Sequence, residues 1–179
     1  MKIFQFPLSG RRSFSSAPLF WLVLAILLPW TCPGTTDISG ELRRWHTVTV
    51  TFEGPECSET GSPNPFLDYR LNVTFRQGDR EWIVPGYYAG DGMAGHTKAS
   101  TGNKWRVHFA PDQAGTWEFM ASFRKGASIA ASTDPDAGVA VSFNGTGGRF
   151  LVGESDKAAP DFRGKGWLRY VGKPYPRFD

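Results

Sequence analysis

Three histidines and a scatter of carboxylates are the side chains here that could move protons or hold a metal ion. His46 and His108 fall in separate segments of alternating apolar character, and His96 lies in the glycine-rich stretch Gly92-Met93-Ala94-Gly95-His96. No two of them have the H-x-x-x-H spacing that would put two imidazoles on one helical face. Paired carboxylates could do the acid–base work of glycoside hydrolysis. The acids, among them Glu53, Glu56, Glu59, Asp68, Asp79, Asp91, Asp112, Asp134 and Asp136, are instead spread through segments rich in Gly, Pro, Asn and Ser. There a short carboxylate holds a turn by accepting bonds from nearby backbone N–H groups. Asp112, in Ala110-Pro111-Asp112-Gln113, is expected to do this. Asp91 and neighbouring carbonyls could face a calcium ion, but the spacing is not that of an EF-hand loop. No Gly-x-Ser-x-Gly elbow, phosphate-binding glycine loop or Cys/His nucleophile arrangement occurs. The expectation is a chain that is not itself an enzyme, with no catalytic residues, no cofactor and no metal.

The aromatic residues are the remaining candidates for function. Seven Trp and five Tyr are many for 179 residues. An exposed aromatic face suits the apolar face of a pyranose ring, and Trp82, Tyr87 and Tyr88 are the candidate ligand-binding residues. Trp105 and Trp117 are in phase with Val107 and Phe119, which points them into a core. Tyr87 and Tyr88 are adjacent, so in an extended segment only one of them faces inward.

The elements that must position these residues show a period of two. His46, Val48, Val50 and Phe52 alternate with threonines and Glu53; Leu71, Val73 and Phe75 alternate with polar residues; so do Trp105, Val107 and Phe109, and Trp117, Phe119, Ala121 and Phe123. Shorter runs follow at Trp82 and Val84, at Val139, Val141 and Phe143, at Phe150 and Val152, and at Leu168 and Tyr170. Period-two runs separated by Gly, Pro, Asn and Asp read as half-buried strands joined by turns. Strands with one apolar face bury it against a second sheet. The fold class is therefore all-β, an immunoglobulin-like antiparallel sandwich of seven to eight strands. The stretch from Phe109 to Trp117 reads as a crossing between sheets, with Trp117 where such folds place a corner tyrosine. The stretch from Ala94 to Asn103 reads as a long, flexible loop.

The first three dozen residues are different. Lys2, Arg11 and Arg12 precede an apolar run from Ala17 to Leu28 that Pro29 interrupts. A basic start, a short apolar stretch and a breaker make an export signal over 1–36. A membrane span needs about 20 apolar residues, and this run is shorter. Contact with a membrane is expected only through this segment if it stays uncleaved. Exported proteins reside in the periplasm, at the cell surface or outside the cell. Residues 1–36 hold three basic residues and no acid, while the whole chain carries +3. The remainder is formally neutral, which gives no case for a nucleic-acid partner. Of the two cysteines, Cys32 and Cys57, the second is expected as a lone thiol in a loop unless the two pair. The sandwich is expected over 40–155. Residues 156–179 read as a junction hairpin toward a missing C-terminal domain.

Several segments, in order, resemble one family: Trp45-His46-Thr47-Val48, Asn64-Pro65-Phe66-Leu67-Asp68, Val84 to Gly92, Lys104 to Pro111, Gly115-Thr116-Trp117, Phe162-Arg163-Gly164 and Leu168-Arg169-Tyr170 before Gly172-Lys173-Pro174-Tyr175. Together they look like the domain of unknown function 5060. This is an immunoglobulin-like module at the N-terminus of exported bacterial proteins, where it precedes a barrel resembling glycoside hydrolases. The resemblance implies a truncated accessory module whose partner is such a barrel in cis. The alternative is a stand-alone carbohydrate-binding module that holds polysaccharide with surface aromatics.

Overall fold

The computed structural model describes residues 36–169, 172, 177 and 178. The segment read as an export signal lies outside the described residues, apart from Thr36, and so does Cys32. The strands run β1 (Thr36–Gly40), β2 (Val48–Ser58), β3 (Tyr69–Gln77), β4 (Arg80–Pro85), β5 (Tyr87–Tyr88), β6 (Thr101–Phe109), β7 (Gly115–Lys125), β8 (Val139–Ala140) and β9 (Gly147–Val152). A short antiparallel pair, β10 (Leu168–Arg169) with β11 (Arg177–Phe178), ends the chain. Among the described residues, one four-residue helical turn, α1 (Ala94–Thr97), and two 3-10 turns interrupt the β structure.

The nine strands form two sheets, ordered β1-β2-β6-β5 and β4-β3-β7-β8, with β9 also paired to β7. All their pairings are antiparallel. Alternation sets the register. Val50 opposes Val107 and Phe52 opposes Trp105 in the first sheet. Val73 opposes Ala121 and Phe75 opposes Phe119 in the second. A slip of one residue would turn each apolar set out to solvent. The inward faces meet through rings: Phe75 stacks on Phe109 at 4.2 Å, Trp105 tilts against Phe123 at 4.7 Å and Phe52 meets Phe119 at 6.1 Å. The all-β sandwich expected from the period-two pattern is therefore the observed fold.

Several local expectations change. Pairing begins at Thr36, a few residues before the sandwich boundary set at 40. The expected loop over 94–103 is half ordered, because α1 closes on itself and β6 starts at Thr101. Cys57 is buried in β2, not in a loop. It follows a bulge between Glu53 and Cys57. Gly54 sits in that bulge because a Cβ there would lie 2.7 Å from the Trp105 indole. The run Val139-Val141-Phe143 is a strand only at Val139–Ala140. Ser142 has φ 43°, so a turn, not alternation, swings Phe143 into the core and leaves Val139 exposed.

The crossing from β6 to β7 ends at Trp117, which is fully buried and donates its indole Nε1 to the Gln113 carbonyl at 3.0 Å. A tryptophan thus ties the start of a strand to backbone four residues upstream, the part a corner tyrosine plays. Asp112 departs from its expected role. Its buried carboxylate accepts from Arg80 rather than from turn N–H groups. If the ring is a keystone, Trp117→Ala should lower the unfolding free energy by about 3–5 kcal/mol. Trp117→Phe, which orphans the Gln113 carbonyl, should cost roughly 1–3 kcal/mol. Urea unfolding measures both. A loss below about 1 kcal/mol for the alanine variant would contradict the burial.

Candidate functional site

The three sequence-predicted aromatics do not converge. Tyr88 is 6% exposed. Its one hydroxyl proton is shared between the carbonyls of Cys57 and Gly102, 2.7 and 3.0 Å from the oxygen, and its ring packs on Trp105. It is the inward member of the pair. Tyr87 is 44% exposed on the outer face of the first sheet. Its hydroxyl lies 2.8 Å from His108 Nε2, and His108 Nδ1 lies 2.8 Å from Thr49 Oγ1. Tyr87 and Tyr88 line a depression of about 310 Å³ with Phe66, Leu71 and Pro85. Trp82, 37% exposed, stands on the edge strand of the other sheet.

Trp82 has company that the sequence does not announce. The loop 41–47, the crossing around Asp112, the β3–β4 turn and the segment after β9 gather at one end of the sandwich. Arg44 N–H donates to the Gly153 carbonyl, Trp45 N–H to the Pro111 carbonyl and Gln77 Nε2 to the Ala114 carbonyl. Trp45 sits in the left-handed region with φ 65°. That conformation is costly for a bulky residue and is held by its surroundings. It turns the indole toward Trp167, 5.3 Å away and edge-on, and Trp167 in turn meets Trp82 at 5.0 Å and 89°. Three tryptophans far apart in sequence form one row, with Trp167 in the middle.

Charged groups border the row. Arg44 lies over the Trp45 ring at 5.1 Å and pairs with Glu154 at 3.6 Å. Arg80 pairs with Asp112, whose other oxygen, Oδ1, is buried without a hydrogen-bond partner. Two depressions meet here and share Arg80 and Asp112. One, of about 450 Å³, is lined by Arg44, Trp45, Gln113 and Glu154. The other, of about 370 Å³, is lined by Glu81, Trp82 and Trp167.

Beside the row, the segment after β9 is fastened a second time. Buried His46 pairs with Glu41 through Nδ1 and lies 3.2 Å from Ser155 Oγ through Nε2. Ser155 donates to the Arg163 carbonyl at 2.9 Å. Glu41, His46 and Asp156 bring one possible metal-ligand atom each within 4.8 Å of one another. The group already carries its own cations: Arg163 faces Glu41 and Asp161, while Arg43 and Lys157 face Asp156. Three carboxylates against three cations is a balanced ion-pair network, and it reads as a latch. Arg163 holds the Asp161 carboxyl down at about 2 through side-chain and backbone hydrogen bonds. A side-chain hydrogen bond from Lys157 lowers the Asp156 carboxyl. Away from this end, burial pushes the Tyr69 hydroxyl up to about 12 and raises the Cys57 thiol beside it.

Comparison with known proteins bears on this end of the molecule. Residues 41–124 match the domain of unknown function DUF5060. The family resemblance read from the sequence is thereby shown over that span. A solved structure of a provisionally assigned glycoside hydrolase from Bacteroides vulgatus is similar to the chain, with 27% identity and a TM-score of 0.42. That similarity covers 64% of this chain and only 16% of the other. No curated protein matches the chain.

The DUF5060 span supplies Arg44, Trp45, Arg80, Trp82 and Asp112, whereas Glu154 and Trp167 come from beyond it. The row is thus a seam between the DUF5060 region and the segment that follows. Sequence reasoning missed Trp45, Trp167, Arg44 and Arg80 as site residues because no local spacing joins them. Two checks follow. Trp167→Ala removes two ring pairs of about 0.5–1.5 kcal/mol each. It should speed hydrogen exchange at the Lys157, Gly164 and Lys165 amides roughly ten- to hundredfold and leave strand amides unchanged. Unaltered exchange would mean that the ring does not hold the segment. The second check is pH. The lowered carboxyls of Asp156 and Asp161 stabilise the latch fully above their ordinary value of 3.8. That contribution is lost as pH falls through this range toward 2. Protection factors at the same amides, taken relative to intrinsic exchange at each pH, should fall on acidification from about pH 5 to 3 while strand protection persists. Asp161→Asn should reproduce the loss of protection at neutral pH, and no change in either case would remove the latch from the account.

Proposed function

We propose that this chain is a non-catalytic accessory β-sandwich of an exported carbohydrate-active protein, and that it orients a catalytic barrel joined to its C-terminal side. The carrying observation is the double fastening of the segment after β9, by Trp167 between Trp45 and Trp82 and by Ser155 and Arg163 at His46. A flexible linker would be polar and unattached. Here the departing chain is packed against the sandwich as far as Trp167, so whatever follows inherits a defined direction. The hairpin of β10 and β11 comes directly after this point. The DUF5060 resemblance supports the same reading, since such modules stand before hydrolase-like barrels. The basic and apolar segment 1–36 supports export.

A stand-alone carbohydrate-binding module is the second reading, and the exposure of Trp82 beside polar groups favours it. Two measurements test the primary one. The purified chain, incubated with aryl glycosides and with plant and algal polysaccharides, should release no product above a buffer blank. Turnover that tracks the protein through purification would overturn the non-catalytic assignment. Expression of the full chain in a Gram-negative bacterium should yield extracytoplasmic protein lacking the first three dozen residues. Uncleaved protein held in the cytoplasm would remove the export part.

A further inference from the structure

We infer that the seam at Trp45, Trp82 and Trp167 is a binding cleft for a neutral pyranose oligosaccharide, an inference that rests on reading the chain as part of a carbohydrate-active protein. Tryptophan combines a large apolar face with a polar N–H and suits a partner that is half apolar and half hydroxylated. Trp82 and Trp167 are each more than a third exposed, although they belong to different segments and pack on one another. Rings placed only to glue the tail down would gain most by complete burial. These two leave ring surface over a depression whose rim is polar.

The rim fits hydroxyl groups. Arg80 is half exposed and gives one N–H to Asp112, so further guanidinium donors face the depression. Asp112 is 7% exposed, lines both depressions and has one carboxylate oxygen without a partner. A buried acceptor left unpaired is costly, and a native structure seldom keeps one without a reason. That oxygen is closed to solvent, so a ligand hydroxyl reaches it only where the Arg80 side chain shifts aside. The charges select a neutral ligand: Arg44 is matched by Glu154, Arg80 by Asp112 and Glu81 by Arg76, so no surplus of either sign awaits a uronate or sulfate group. The Trp45 face is covered by the Arg44 guanidinium, so the stacking platform is Trp82 with Trp167.

Affinity electrophoresis of the purified chain through gels containing xylan, glucomannan, mixed-linkage β-glucan or agarose tests this, with tryptophan fluorescence titration against the matching oligosaccharides. At least one neutral glycan should retard the protein and shift its emission. Trp82→Ala should weaken that binding about tenfold or more, the loss expected for a central aromatic contact. Trp82→Phe should lose less, and Tyr87→Ala should bind as the parent does. Circular dichroism of each variant shows that the sandwich is intact. If Trp82→Ala and Trp82→Phe bind like the parent while Tyr87→Ala does not, the cleft is overturned and sugar binding moves to the first sheet. If none of these glycans retards the parent protein, the inference fails. The accessory role survives that result, because it stands or falls on the glycosidase assay.

Discussion

The aromatic layer between the two sheets is the constraint on which everything else depends. Phe75 on Phe109 at 4.2 Å, Trp105 against Phe123 at 4.7 Å and Phe52 against Phe119 at 6.1 Å set how the two sheets lie on one another. Each such pair adds about 0.5–1.5 kcal/mol beyond the area it buries. Their larger effect is geometric. Close-packed rings have few alternative arrangements, so the strand ends they hold are fixed in position. Loops that share no sequence neighbourhood then meet at one end of the sandwich. The crossing at Asp112 and the β3–β4 turn lie just beyond the stacked Phe109 and Phe75, which bring them together with the loop at Trp45.

That end is where the structure spends conformational energy. Leu42 and Trp45 both adopt positive φ within one short loop. A left-handed conformation at a bulky residue is sustained only when its surroundings over-determine it. Here the backbone bonds to Pro111 and Gly153, together with the packing of Trp45 on Trp167, supply the restraint. The arrangement works in both directions. The sandwich forces the Trp45 loop into shape, and that loop holds the segment leading out of the sandwich.

The sandwich was legible in the sequence because burial on one face of a strand writes a period of two. Val48, Val50 and Phe52, or Trp117, Phe119, Ala121 and Phe123, need no distant information to be assigned to a core. Irregular positions were less legible. Phe143 looked like the third member of a strand, and only the turn at Ser142 explains its burial. Adjacency makes Tyr87 and Tyr88 face opposite ways in a strand, but it does not say which of them is buried. The hydroxyl of Tyr88, satisfied by two backbone carbonyls, shows why it tolerates the interior. The tryptophan row was illegible for a different reason. Its members lie in a loop, an edge strand and a tail, and no local pattern connects elements that meet only through tertiary packing.

Asp112 shows how a correct local rule can lose to a distant partner. An Asp after a Pro in a crossing loop has good reason to cap a turn. Burial changes the comparison. In an exposed turn a carboxylate loses little by bonding neutral N–H groups, but at 7% exposure its charge needs a counter-charge. Arg80, at the start of β4, provides it across the end of the sandwich. The same bond anchors the edge strand that carries Trp82 to the crossing that leads to the Trp117 corner. One ion pair thus links the stacking platform at the seam to the buried ring that fixes β7. Replacing it by a neutral turn contact would leave both a buried charge and an unanchored edge.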